Sequence, residues 1–203
     1  MTPIIESNKK WIVSFLIFDF LFLGYLAFPE RNIHLLLTLH LMKATTILLP
    51  LPAWLLSTLL PSKIKEILVF WRIKDPLPGS QAFTIHAPAD NRINLEKLEE
   101  KIGKFPKCKK EQNALWYKLY RQVRSDISVI SSHKSYLLFR EICAISAILT
   151  FVVPAFLYFS NENCSTILIS FFIFAIQYIL TSIGAKNSGI RFVRNVLAVY
   201  SSQ

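Results

Sequence analysis

Two groups of residues in this 203-residue chain have the type and spacing to do chemistry. The first are polar side chains set within apolar runs: Asp19, His40 and Lys43, and later Gln177, Thr181 and Ser182. A charge at the centre of a bilayer is costly, so it pairs with another or lines a water-filled path. Asp19 and Lys43 fall at similar depth in two successive runs, and His40 shares a helical face with Lys43. Two readings follow. Asp19, His40 and Lys43 form a polar seam or ion path, or Asp19 and Lys43 are a structural pair that sets the register of a helical hairpin. Gln177, Thr181 and Ser182 are pore candidates and equally ordinary hydrogen bonders between helices.

The second group is basic and aromatic. Arg72, Lys74, Arg92, Lys109, Lys110, Arg121 and Arg124 are spread among Trp71, Phe83, Trp116, Tyr117 and Tyr120. Cations bind phosphates and rings stack on bases, so the mixture suits a nucleotide or a short single-stranded nucleic acid. The same composition also suits a cytoplasmic surface beside anionic lipid, with its aromatic residues in the core. The stretch Pro76 to Phe83 lacks the G-x-x-x-x-G-K of a phosphate loop. No hydrolase, metalloprotease or dinucleotide motif occurs, and His34, His40, His86 and His133 are scattered, so no enzyme, catalytic residue or cofactor is expected. Cys108, Cys143 and Cys164 have no zinc spacing and read as free thiols, and no metal site is expected.

The elements that must position these residues are legible in the hydropathy. Apolar runs cover Trp11 to Phe28, Ile33 to Leu60 (kinked at Pro50 and Pro52), Ile142 to Phe159 and Ser165 to Gly184. An 18-residue helix reaches about 27 Å, close to the ~30 Å hydrocarbon core. Pro29–Asn32 and Asn161–Asn163 form tight turns. The sequence therefore predicts an all-α integral membrane protein with four transmembrane helices arranged as two hairpins. The expected organisation is a stub and first hairpin over 1–60, a small, mostly helical insert over 61–140, a second hairpin over 141–185 and a C-terminal amphipathic helix over 186–203.

Charge sets the expected orientation. The net charge is +10, and 21 of the 23 Lys and Arg residues, all but Arg31 and Lys43, fall outside the runs and their short outer turns. By the positive-inside rule both termini and the insert face the cytoplasm. The first run is too long for a signal-peptide core, and no A-x-A site follows it before Pro29.

Within the insert, Pro61–Glu66 opens a helix toward Arg72, with Ile64, Ile67, Leu68 and Trp71 on one face. Residues 80–89 read as extended or looped. Asn94 caps a short helix that ends at Gly103. Lys110 to Val123 is amphipathic, with Leu115, Trp116, Leu119 and Val123 inward. A helix from about Asp126 runs unbroken into the third apolar run. Phe192, Val193, Val196, Leu197 and Tyr200 form one face near the C-terminus, suited either to the membrane interface or to packing on the insert.

The stretches Trp71-Arg72, Leu77 to Phe83, Asp90-Asn91-Arg92-Ile93 and Glu111 to Tyr120, with Arg140-Glu141 entering the third run, carry a resemblance. From about residue 62 to 145, and in the four-span layout, the chain resembles small bacterial multi-span effectors encoded beside a nucleotidyltransferase in antiphage operons, as in the Hailong type. The resemblance implies an oligomeric channel that depolarises the inner membrane. It also implies control through the cytoplasmic region by a nucleotide or oligonucleotide made by the partner enzyme. Carried over, Arg72, Arg92, Asn113, Tyr117 and Arg121 would contact that ligand. A four-helix protomer fills its own core, so a channel reading requires a homo-oligomer with its pore on the symmetry axis. The alternative is a non-conducting membrane scaffold whose insert docks a protein partner. A lipid-modifying enzyme is a third, weaker reading.

Overall fold

The computed structural model describes residues 4–27 and 48–203. The structure is all-helical: 81% is helix, and no strand occurs among the described residues. The α-helices are α1 (Ile4–Ala27), α2 (Pro50–Leu59), α3 (Ser62–Phe70), α4 (Leu95–Ile102), α5 (Lys109–Val123), α6 (Ile127–Phe159) and α7 (Cys164–Ser202). A 3₁₀ turn (Pro78–Gln81) and a π turn (Ala82–His86) lie between α3 and α4. Helices α6 and α7 are long and apolar enough to cross a membrane. At 1.5 Å per residue they reach about 50 and 58 Å, beyond the ~30 Å hydrocarbon core.

The chain divides into two compact units, Met1–Pro61 with Glu141–Thr181, and Ser62–Arg140 with Ser182–Gln203. The first unit packs Leu16 and Leu23 of α1, Ala53 of α2, Leu149 and Val153 of α6 and Phe174 of α7. Phe22 meets Phe174 edge to face at 6.1 Å. Many large apolar side chains of this unit face outward: Phe18, Leu21, Leu55, Phe151, Phe172 and Leu180 are all exposed. So many exposed large apolar side chains mark contact with lipid or with another protein.

The second unit is built around Phe192 of α7. Its ring stacks on His133 at 4.6 Å and meets Trp116 at 5.2 Å and Tyr120 at 5.3 Å. With Val193, Val196 and Leu197 also buried, the C-terminal apolar face packs within this unit. Of the two placements open for that face, packing on the insert is the one observed. No break separates it from the fourth apolar run; both belong to α7.

Local signals place several boundaries. The Asn94 side chain accepts from the Lys97 amide at 3.0 Å, and Gly103 adopts φ +79° as its amide donates to the Glu99 carbonyl. Positive φ favours glycine, and the motif closes α4. Asp126 caps α6 by accepting from the amides of Ser128 and Val129 at 2.8 and 3.3 Å.

Two local expectations are corrected. Residues 80–89 are not extended. The π turn forms because the buried Gln112 amide oxygen accepts from the amides of Phe83 and Thr84 at 3.2 and 3.3 Å. Helix α3 buries Lys65, Glu66, Val69 and Phe70, while Ile64 and Trp71 stay exposed. Glu66 draws that face inward: its carboxylate accepts from the Tyr136 hydroxyl and from Arg140 Nη1 at 3.1 Å.

Candidate functional site

In the first unit, Asp19 of α1 is fully buried, and its Oδ1 accepts from Gln177 Nε2 of α7 at 2.8 Å. Asp19 Oδ2 has no hydrogen-bond partner among the described residues. The sequence flagged both residues but not their pairing, which spans 158 positions. Thr181 donates to the carbonyls of Gln177 and Tyr178 in its own helix and also hydrogen-bonds the Cys143 thiol of α6. Ser182, in the second unit, donates to the Val69 carbonyl at 3.4 Å. His40 and Lys43 lie outside the described residues.

The second unit carries two clefts that share Leu77. One, of about 420 Å³, is aromatic; Asn113, Trp116, Tyr117, Tyr120, His133 and Arg140 line it. The i, i+3, i+4, i+7 spacing of Asn113, Trp116, Tyr117 and Tyr120 brings all four to one side of α5. Trp116 and Tyr120 lie nearly parallel at 6.0 Å, and the Tyr120 hydroxyl is 3.2 Å from His133 Nδ1. Burial, then the nearby Arg140, pushes the His133 pKa down, and burial pushes the Tyr120 phenol up. Both groups are therefore neutral near pH 7. The cleft offers ring faces, neutral hydrogen-bonding groups and one guanidinium, which suits a planar heteroaromatic ligand. Tyr117 is 53% exposed, so its face is available for stacking.

Gly79 forms the tight wall beside this cleft. A Cβ there would stand 2.6 Å from Asn113 Oδ1 and 2.7 Å from Trp116 Cε3. A buried indole cannot move aside cheaply, so Gly79→Ala is expected to cost about 2 kcal/mol. Denaturant unfolding of the full chain in detergent checks this.

The second cleft, of about 730 Å³, is lined by Ser62, Lys63, Glu66, Lys74, Asp75 and Lys110, among others. The Glu66–Arg140 ion pair contributes one residue to each cleft.

Of the five residues proposed to contact a ligand, the structure brings Asn113 and Tyr117 into the aromatic cleft. Arg72 packs over the Phe70 ring at 5.4 Å. Arg92 is held by Asp90, with Nη2 to Oδ2 at 2.7 Å, and this contact lowers the Asp90 pKa. Arg121 is exposed on α5. Trp116, Tyr120, His133 and Arg140 also line the cleft and are not among those five. For Tyr120, the helical spacing from Asn113 was the available signal; His133 and Arg140 arrive from α6, and only tertiary packing places them.

His86 is buried, and its Nδ1 has no hydrogen-bond partner among the described residues. Burial, then Arg194 and Arg72, push its pKa down to about 4. An unfolded histidine titrates near 6.5, so between those values the unfolded chain binds more protons than the folded one. Stability is therefore expected to be full above pH 6.5 and to fall as the pH drops toward 4. Melting temperatures across pH 4–7.5 check this, and His86→Gln should flatten the slope.

Among the described residues no cluster of three or more His, Cys, Asp or Glu side chains could hold a metal ion. All three cysteines are free thiols. No family model matches the chain, and no match is found among curated proteins or solved structures.

Proposed function

We propose that the protein is an oligomeric membrane ion channel, gated through its cytoplasmic unit by a nucleotide or oligonucleotide and acting to depolarise the membrane. In this reading α1, the run that ends in α2, and the apolar parts of α6 and α7 are four spans in a bacterial inner membrane, with both termini cytoplasmic. The observation that carries it is the Asp19–Gln177 contact: a fully buried carboxylate, one oxygen of which has no partner among the described residues, within apolar stretches of α1 and α7. Asp19 is buried within the protomer, so in this reading it ties α1 to α7 and sets how the helices pack around an axial pore rather than lining that pore. The aromatic cleft supports the ligand half of the reading, because ring faces beside an Asn amide and an Arg are what a nucleobase stacks and bonds on. The antiphage role rests on the sequence resemblance, in which the signal is the product of a partner nucleotidyltransferase.

The test is ion flux from liposomes carrying the purified full-length protein. Wild type should dissipate an imposed K⁺ gradient. Asp19→Asn should cut the flux at least about tenfold, the effect of removing roughly 1.4 kcal/mol of favourable interaction from the rate-limiting step. Helical content should not change. Absence of flux from wild type, with and without nucleotide, would overturn the channel reading. It would leave the non-conducting scaffold, which the exposed Trp71 and Ile73 on the second unit would serve as docking residues.

A further inference from the structure

The lysine-lined cleft raises a separate question: what answers its charge. Lys63 stands in the first turn of α3, Lys74 in the loop after α3, and Lys110 in the first turn of α5. None of the three ammonium groups has an ion-pair or hydrogen-bond partner among the described residues. Of the two carboxylates that line the cleft, Glu66 is engaged by an ion pair and Asp75 leaves one negative charge. Glu66 is held by Tyr136 and Arg140, and Asp75 lies within electrostatic reach of Arg72. Three like charges around one cavity repel one another, and with Glu66 paired to Arg140 only Asp75 opposes them among the described lining residues, so the cavity keeps a net positive charge.

Helix α3 adds to the imbalance. Its first turn holds no acidic residue, yet Lys63 sits at the end where the macrodipole disfavours a cation. A local rule broken without compensation inside the chain is characteristic of a functional position. The Ser62 hydroxyl lines the same cavity and supplies a neutral donor.

We propose that this cleft is a phosphate-binding site, separate from the aromatic cleft, with Lys63, Lys74 and Lys110 supplying the charge and Ser62 a hydrogen bond. Lysine serves phosphate as a mobile point charge and needs no planar geometry, which suits three flexible side chains around one cavity. The phosphate is that of an anionic lipid headgroup or of a free phosphate compound. The lipid source is within reach: Ser62 follows Leu59, the last residue of α2, by three positions, at most about 10 Å of chain. This inference does not depend on the channel reading, since binding is measured without flux.

The experiment uses the full-length protein and two probes. In neutral detergent, inorganic phosphate is titrated against chloride at matched ionic strength while the melting temperature is followed. In nanodiscs, phosphatidylcholine alone is compared with phosphatidylcholine plus phosphatidylglycerol, with lipid retention read by native mass spectrometry. Wild type should be stabilised in at least one arm. Lys63→Gln with Lys110→Gln should weaken that binding at least about tenfold, the loss expected for one charge-assisted contact. Lys63→Arg with Lys110→Arg should retain it, which guards against a folding defect, and Lys97→Gln should leave it unchanged. Stabilisation by phosphate alone identifies a soluble ligand, and retention of phosphatidylglycerol alone a headgroup; either supports the site. No binding in either arm, or equal binding by the Gln double variant, overturns it.

Discussion

Arg140→Met is expected to lower stability by about 3 kcal/mol, the lower end of the cost of breaking a buried ion pair from one side. Glu66 is 4% exposed in its side chain and Arg140 16%, so solvent does little to compensate the carboxylate once the guanidinium is removed. The Tyr136 hydroxyl would remain as a neutral donor to Glu66. For a chain of this length the change corresponds to a fall of about 8 °C in melting temperature. The double variant Glu66→Gln, Arg140→Met should recover part of the loss, because no buried carboxylate is then left without its cation. A double-mutant cycle in detergent measures the coupling, and additive losses would show that the pair contributes nothing beyond its separate side chains. The same variants bear on both clefts, because Glu66 lines one and Arg140 the other.

Gln112→Leu is the second large effect, again about 3 kcal/mol, from polar groups left buried without partners. The Gln112 amide oxygen accepts from the amides of Phe83 and Thr84 and from the Thr84 hydroxyl, while its Nε2 donates to the Lys107 carbonyl at 3.3 Å. Leucine fills a similar volume and offers none of these bonds. The loss should concentrate at the π turn, so amide hydrogen exchange at Phe83 and Thr84 should rise well before exchange in α5. Uniform exchange across the second unit would mean that Gln112 acts through general packing. Phe83 stacks on Phe105 at 5.4 Å, so loosening the turn should also disturb that contact.

How much of this was readable in advance depends on chain distance. The Asn94 cap, the Gly103 stop and the Asp126 start of α6 are local, set by hydrogen bonds to groups two to four positions away. Local features of this kind survive in any tertiary context. The buried face of α3 departs from the sequence expectation because amphipathicity weighs only a residue's own polarity. Glu66 is drawn inward by Tyr136 and Arg140, 70 and 74 positions away. Asp19 stood out as a charge in an apolar run, with Lys43 as the partner in view; the partner observed among the described residues is Gln177. A hydropathy profile locates a polar exception but carries no information on which distant group meets it.

The sequence by itself determined that the chain is helical, that its apolar and basic residues occupy different segments, and that a few polar groups break the apolar runs. Helical period and composition suffice for that, because both are properties of neighbouring residues. Only the tertiary structure decided that Phe192 lies at the centre of an aromatic core, that Asn113 and Tyr117 share a cleft with His133, and that Lys63, Lys74 and Lys110 line one cleft. The reason is physical: a convergence of side chains from α3, α5, α6 and α7 is fixed by how helices pack, and packing depends on surfaces that no local pattern contains.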